Sequence, residues 1–327
     1  MTGSVIMAMG PVDELVAEQL APFGEVVTAE SEAEQRALLP NTIGLIARAT
    51  SRVDRALLDS APNLRVIGRT GVGVDQVDLD AASTRSVPVV VTPTAGTRAV
   101  AEGTLTLALH LLKKLGRHTT LVREGKWAQR DRLTAYDLDG ATVGLVGYGR
   151  IGRRVAELAR CFGADVLVSD PYLDAEQADG ITVTDLPQLL GSSDVLSLHA
   201  PLTPETRHIL GPAELRQVKP GAVLVNCARG GLLDLDATHA ALLEGRLSGV
   251  GLDVYDPEPP ADHPLFHHPD VVLTPHIMGI SARAWQRTCV DMAAGMAAVL
   301  SGGRAEDIAN PEVYQEVRTT RGVPASP

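Results

Sequence analysis

An α/β fold built on two parallel-sheet domains is what this 327-residue sequence predicts, on three observations. Short β-branched runs alternate with helix-like stretches along the chain. The runs are continuously apolar, as strands covered on both faces must be. The alternation then starts afresh near Thr142, beyond one long apolar helix. A chain of this length accommodates two domains of about 100–200 residues each.

In order, "SVIMAM" reads as a first buried strand and is followed by a helix opening at Pro11. "IGLIA", "LRVIG" and "VPVVV" supply further strands, with helices between them. Next, "TRAVAEGTLTLALHLLKKLGRH" is apolar on most of its circumference up to a terminal basic cluster. Such a helix is buried between layers, between domains or in a dimer, and here it reads as a domain connector. From Thr142 the strand candidates are "TVGLV", "DVLVS", "DVLSLH", "AVLVNC", "SGVGLDV" and "VVLTP", with helices such as Arg150–Phe162 and Asp234–Glu244 between them. This is the strand count of a doubly wound sheet. A last helix, from about Ser281 to Leu300, lies beyond that unit and is free to return to the first domain. The expected domains are therefore 1–98 plus 281–327, and 99–280.

A formal net charge of −11 argues against general affinity for nucleic acid or an anionic membrane. An anionic ligand must instead be drawn by a few local arginines and helix N-termini. Cys161, Cys227 and Cys289 form no CxxC or metal-finger spacing, so neither a disulfide framework nor a metal site is expected. The N-terminus lacks a basic n-region, and its apolar run is too short to target or to span. A cytoplasmic protein is expected.

Within "VGLVGYGRIG", Gly147, Gly149 and Gly152 have the GxGxxG spacing. Alone, that spacing is compatible with a mere tight turn. Here a β-branched strand precedes it, a helix follows, and the next strand ends in Asp170, 18 residues past Gly152. A dinucleotide cradle requires this order. The first glycine makes the turn, the second lets backbone approach a pyrophosphate, the third lets helix and strand pack, and the acid accepts ribose hydroxyls. Asp170 is followed by Pro171 and Tyr172, with no arginine to receive a 2′-phosphate, so NAD is expected over NADP.

Ligands of such sheets sit beyond the carboxyl ends of the strands. Three late strands end in reactive side chains: "AVLVNCARGG" in Arg229, "GVGLDVYDPEPP" in Asp253 and Glu258, and "VVLTPHIMG" in His276. Hydride transfer to a 2-keto acid needs a planar cation for the carboxylate, a proton donor near neutrality, and an acid to favour its protonated form. Arg229, His276 and Glu258 meet those needs by type. Taken singly, each has a bland reading: Glu258 as a solvated acid, His276 as a strand-end histidine, Arg229 as a helix partner. Their shared placement on one rim favours function. His199 reads as a packing or loop residue, and His263, His267 and His268 as a solvent-exposed loop cluster.

The motifs "GRTGVGVDQVD", "VGLVGYGRIG", "HAPLTPETRHIL", "VNCARGG", "LDVYDPEPP" and "TPHIMG" occur together in this order. In them the chain resembles the D-isomer-specific 2-hydroxyacid dehydrogenases, most closely the D-3-phosphoglycerate dehydrogenase branch in a short form without the C-terminal regulatory domains. The resemblance implies Rossmann-like and flavodoxin-like domains with a cleft between them, a homodimer, and a small anionic substrate. It implies Arg229 as carboxylate binder, His276 as proton donor and Glu258 as its partner. Cofactor contacts are implied for Arg150, Ile151, Asp170, Ala200, Pro201, Thr206, Cys227, Ala228 and Asp253. Arg48, in "GLIARATS", is implied to hold a substrate phosphate, with Arg69, Val72 and Gly73 as further substrate contacts. Two residues depart from the family's pattern: Met278, where a small residue is common, and Val91, where asparagine is common.

The expected activity is therefore NAD-dependent interconversion of a small, phosphorylated or phosphono D-2-hydroxyacid and its 2-keto acid. A relative oxidising another small anion such as phosphite is a second reading; a formate-type enzyme would resemble a glutamine–histidine pair, against Glu258. A third is an NAD-sensing, corepressor-like binding protein, and turnover of NADH with 2-keto acids separates it from the first.

Overall fold

The computed structural model describes residues 3–48, 51–173 and 180–315. The stretch up to Pro327, included in the expected first domain, lies outside the described residues. The chain divides into two compact units, Met1–Ala95 with Trp285–Pro327, and Gly96–Ala284.

In the first unit, β1 (Val5–Ala8), β2 (Glu25–Thr28), β3 (Thr42–Ala47), β4 (Val66–Arg69) and β5 (Val89–Val90) form one sheet in the order β2-β1-β3-β4-β5. Every pairing is parallel. The order reverses between β1 and β3, so the crevice beyond their carboxyl ends is this sheet's natural ligand position. Apolar side chains cover both faces. Met7, Leu45, Ile67 and Val89 pack on one side, and Ile6, Ile46, Val66 and Val90 on the other with Met292 and Met296 of the Ala282–Leu300 helix.

The second unit holds β6 (Thr142–Val146), β7 (Asp165–Ser169), β8 (Thr182–Val183), β9 (Val195–Leu198), β10 (Ala222–Asn226), β11 (Leu247–Leu252) and β12 (Val271–Leu273), ordered β12-β11-β10-β9-β6-β7-β8. Its pairings are also all parallel. The reversal falls between β6 and β9. The Thr97–Leu112 helix buries Ala101, Leu105, Leu107, Ala108, Leu111 and Leu112, which accounts for its apolar circumference. It comes unusually close to β11, because a Cβ on Gly251 would lie 3.1 Å from Leu107 Cβ and one on Gly249 2.9 Å from Leu111 Cδ2.

Four local expectations need correction. The first helix begins at Glu14, not Pro11, because the Asp13 carboxylate accepts from Leu15 N at 3.0 Å and caps it. The long connector is two helices, Thr97–Leu112 and Leu115–Arg123, broken where Lys114 takes φ +50°. The break turns the basic cluster onto the sheet: Lys114 Nζ donates to Ser248 O at 2.5 Å, and Arg117 pairs with Asp270 at 2.7 Å. Strands β2 and β8 were not anticipated; both are short edge strands without a buried residue. His263 and His268 are half-buried rather than solvated, with His263 Nδ1 accepting from Leu265 N at 3.1 Å and its ring lying 5.6 Å from that of Phe266.

Candidate active site

The glycine cluster occupies the β6/β9 reversal. Gly147 turns the chain at φ +96°, and a Cβ there would lie 2.8 Å from the backbone of His199 and Ala200, just past β9. Gly152 is buried in the Arg150–Cys161 helix, its missing Cβ overlapping Gly147 O at 2.5 Å. Gly149, the helix N-cap, faces open space instead. One glycine makes the turn, one admits the helix, and one leaves room for something else beside the helix N-terminus, where backbone N–H groups favour an anion. Arg150 is exposed at the first helical position and Ile151 half-buried beside it. Asp170, at the end of β7, accepts from Tyr148 N at 2.7 Å and Tyr172 N at 2.9 Å. Its two oxygens keep further lone pairs for ribose hydroxyls. On the β9 side, Thr206 Oγ1 donates to Pro201 O at 2.7 Å, closing the loop that begins at Ala200. His199 is held neutral: burial pushes its imidazole down to about 4, and Ser197 Oγ lies 2.9 Å from Nε2. The residues present fit a dinucleotide.

Beyond β10, β11 and β12 the three reactive residues converge. His276 Nδ1 lies 2.8 Å from Glu258 Oε2, and the other carboxylate oxygen accepts from Tyr255 N at 3.0 Å. The hydrogen bond to Glu258 raises the His276 pKa above its ordinary 6.5; burial opposes this, the charges of Glu258 and Asp253 add to it, and Arg229 subtracts. Burial would raise the Glu258 carboxyl, but the His276 and Tyr255 hydrogen bonds and the positive charges of His276 and Arg229 outweigh it and depress the pKa. Arg229 is thus within electrostatic reach of both. Its Nη1 donates to Ala228 O at 2.7 Å. The glycines after it bring its loop against the Glu258 loop, since side chains on Gly230 or Gly231 would run into Tyr255 and Asp256.

Asp253, implied as a cofactor contact, has its carboxylate turned to the His276 loop. It is 2 % exposed, accepts from Thr274 Oγ1 at 2.6 Å and Ile277 N at 2.8 Å through one oxygen, and from Met278 N at 3.0 Å through the other. It therefore clamps a turn in which His276 adopts φ +53°, a conformation unfavourable for a non-glycine residue. Three residues that sequence reasoning passed over complete the frame. Buried Asn226 donates to Arg229 O at 2.8 Å and accepts from Ala228 N at 3.0 Å, shaping the Arg229 turn. The Tyr255 hydroxyl lies 3.3 Å from Leu252 O and 3.0 Å from Thr274 O, tying the ends of β11 and β12 together. Thr274 supplies the hydroxyl to Asp253. A polar residue closing an apolar strand was the available signal for Asn226. Cys227 is buried against Thr104, and burial pushes its thiol up to about 12, so the thiol stays neutral.

In the first unit, Arg48 immediately follows β3, at the β1/β3 reversal. Its guanidinium lies 5.4 Å from the Trp285 ring centroid, and its stem passes Gly10, where a Cβ would be 2.8 Å from Arg48 Cδ. Among the described residues no carboxylate forms an ion pair with it. Arg69 is placed differently: 3 % exposed, it donates to Gly73 O at 3.0 and 2.7 Å and to Arg48 O, bracing the loop that carries Val72 and Gly73. Val72 is half exposed on that loop. Val91 is buried past β5, its N–H donating to Asp307 O at 3.0 Å.

Comparison with known proteins gives a consistent result. Residues 105–278 match the family model of the D-isomer specific 2-hydroxyacid dehydrogenase, NAD binding domain. The chain is 36% identical over 317 residues to a D-3-phosphoglycerate dehydrogenase of Methanocaldococcus jannaschii, covering 95% of this chain and 60% of that one. It thus spans less than two thirds of the length of such curated relatives. Among solved structures, the TT0316 protein of Thermus thermophilus aligns with a TM-score of 0.86 at 36% identity, covering 93% of this chain and 99% of that one. The D-lactate dehydrogenase of Aquifex aeolicus, complexed with NAD and lactic acid, aligns with a TM-score of 0.85 at 27% identity, covering 94% and 99%.

Proposed function

This chain belongs to the D-isomer-specific 2-hydroxyacid dehydrogenase family and carries its NAD-binding domain; on that premise we propose that it interconverts a small D-2-hydroxyacid and its 2-keto acid. The observation that carries the reading is the His276–Glu258 pair, 2.8 Å apart and within reach of the Arg229 charge.

NAD, when bound, supplies the hydride donor and acceptor. Arg229 holds the substrate carboxylate and polarises the neighbouring carbonyl with its planar fork. His276 donates a proton from Nε2 to the carbonyl oxygen as it becomes a hydroxyl. The Nδ1 proton stays on the ring throughout, donated to the Glu258 carboxylate, so the ring keeps one orientation in both charge states. In the reverse direction the same nitrogen removes the hydroxyl proton.

For the substrate's far end, the reading favours a phosphate or phosphonate. Arg48 lies at a sheet reversal with no carboxylate ion partner among the described residues, and relatives named D-3-phosphoglycerate dehydrogenase support the same choice. Arg69, with Val72 and Gly73, would shape the loop beside it. The proposal extends to a cytoplasmic homodimer. Val122, Trp127 and Tyr136 are each more than half exposed along one stretch, apolar area that a second copy would cover. Among the described residues no helix is long and apolar enough to cross a membrane.

The test is NADH oxidation with a panel of 2-keto acids, including pyruvate, glyoxylate and 3-phosphohydroxypyruvate. Fastest turnover of the phosphorylated acid supports the full reading. Turnover of the others alone retains the reaction and removes the phosphate, and no turnover of any removes the activity.

A further inference from the structure

Gly103 stands in the interior of the Thr97–Leu112 helix, where glycine is the least favourable residue apart from proline. The structure gives it a reason. A Cβ on Gly103 would lie 2.8 Å from both Cβ and Cγ of Met278, and nearer still to Sδ. Swinging the flexible thioether aside would not relieve this, because the Met278 Cβ is fixed to the backbone. Met278 therefore occupies, from the loop after β12, the notch left open on the helix.

We propose that Gly103 and Met278 are a matched pair that positions His276, with the helix acting as the rigid support of its loop. The helix residues facing the loop and strand are Gly96, Val100, Gly103, Leu107 and Leu111, the spacing of one helical face. At one end of this face, Leu107 and Leu111 sit against Gly251 and Gly249 of β11. At the other, a Cβ on Gly279 would lie 3.5 Å from Val100 Cγ2, and one on Gly96 3.6 Å from Gly279 O. Met278 is the side-chain anchor between these ends. Its backbone is anchored as well, by Met278 N donating to Asp253 Oδ2 at 3.0 Å. His276, two residues earlier, is thus fixed between a buried carboxylate and a helix notch, which hold its positive-φ turn. Met278 is a positioning residue and not a catalytic one.

The inference rests on His276 as the proton donor, and its test has one readout that needs no turnover. Gly103→Ala, Met278→Ala and the double variant Gly103→Ala/Met278→Gly of the full chain are compared by NMR titration of 13C-labelled histidine. Each is also compared by kcat and KM for reduction of 3-phosphohydroxypyruvate. Gly103→Ala should push the loop outward, lower the His276 pKa toward its ordinary value and cut kcat about tenfold or more, with KM for NADH within about twofold. Removing the whole obstructing side chain, Cβ included, in the double variant should relieve the push and raise both part of the way back from Gly103→Ala toward wild type. Met278→Ala leaves the helix intact and should by itself lower the His276 pKa and kcat, which keeps the test decisive if Gly103→Ala fails to fold. An unchanged pKa in Met278→Ala, or a double variant no better than Gly103→Ala, overturns the pairing. A wild type that reduces no 2-keto acid overturns the proposed activity, while the titration still decides the pairing.

Discussion

His276 and Glu258 meet at 2.8 Å although they leave different strands, and the hydroxyl of Tyr255 ties the ends of the same two strands, β11 and β12. The acid–base pair is therefore built into the sheet edge. Its electrostatics carry the first prediction. Reduction should decline as pH rises through the raised His276 pKa if, as proposed, the protonated imidazole is the donor. Glu258→Gln should move that decline to lower pH, read from kcat/KM against pH; an unmoved profile would remove the glutamate from the mechanism.

The same pair has a stability signature. A raised histidine pKa stabilises fully below the ordinary 6.5 and is lost as pH rises through the raised value. The depressed Glu258 pKa stabilises fully above the ordinary 4.5 and is lost as pH falls through the depressed value. The Tm difference between wild type and Glu258→Gln should therefore be widest between those two ordinary values and narrow on either side. A difference independent of pH would mean that the substitution acts through packing alone.

Gly149 and Gly147 should fail in different ways. Gly149→Ala adds a methyl to open space at φ −74°, so Tm should hold while NADH binding weakens about tenfold or more, measured by quenching or calorimetry. Gly147→Ala puts a Cβ into the His199–Ala200 backbone at positive φ and should lower Tm as well. If Gly149→Ala binds NADH normally, the open space is not the cofactor's.

The proposed ribose role of Asp170 carries a prediction about cofactor choice. NADH should exceed NADPH by at least about tenfold in kcat/KM, or about 1.4 kcal/mol, because the carboxylate repels a 2′-phosphate. Asp170→Asn should narrow the gap, mostly by slowing the NADH reaction; equal efficiencies in wild type contradict the ribose role.

Arg48→Ala should erase most of the advantage of a phosphorylated 2-keto acid over pyruvate. The loss expected for a charge-assisted contact is about 1.5–3 kcal/mol, and slow pyruvate turnover should remain. Equal loss of both substrates in steady-state kinetics would make Arg48 a structural partner of Trp285.

What was legible in the sequence follows how local each signal is. The GxGxxG cluster and Asp170 are a strand–turn–helix–strand pattern within one short stretch. The gathering of Arg229, Glu258 and His276 at one rim was legible because parallel sheets present residues at strand ends. The clamp by Asp253 was not, since it depends on which backbone N–H groups its oxygens meet. Nor was the reason for Gly103, whose partner Met278 lies far along the chain. Met278 stood out only as a departure from the family's small residue, and the compensating notch emerged in three dimensions. Strands β2 and β8 carry too few apolar residues to register. Pro11 resembled a helix start, but the capping carboxylate is two residues later at Asp13.

The most direct measurement is kcat for NADH-dependent reduction of 3-phosphohydroxypyruvate by wild type and His276→Gln, with NADH affinity measured on the same samples. A general acid contributes about 10²–10⁴-fold, so kcat should fall by that factor while NADH binding and Tm stay close to wild type. A His276→Gln enzyme that turns over within about threefold of wild type would contradict the assignment of His276 as the proton donor.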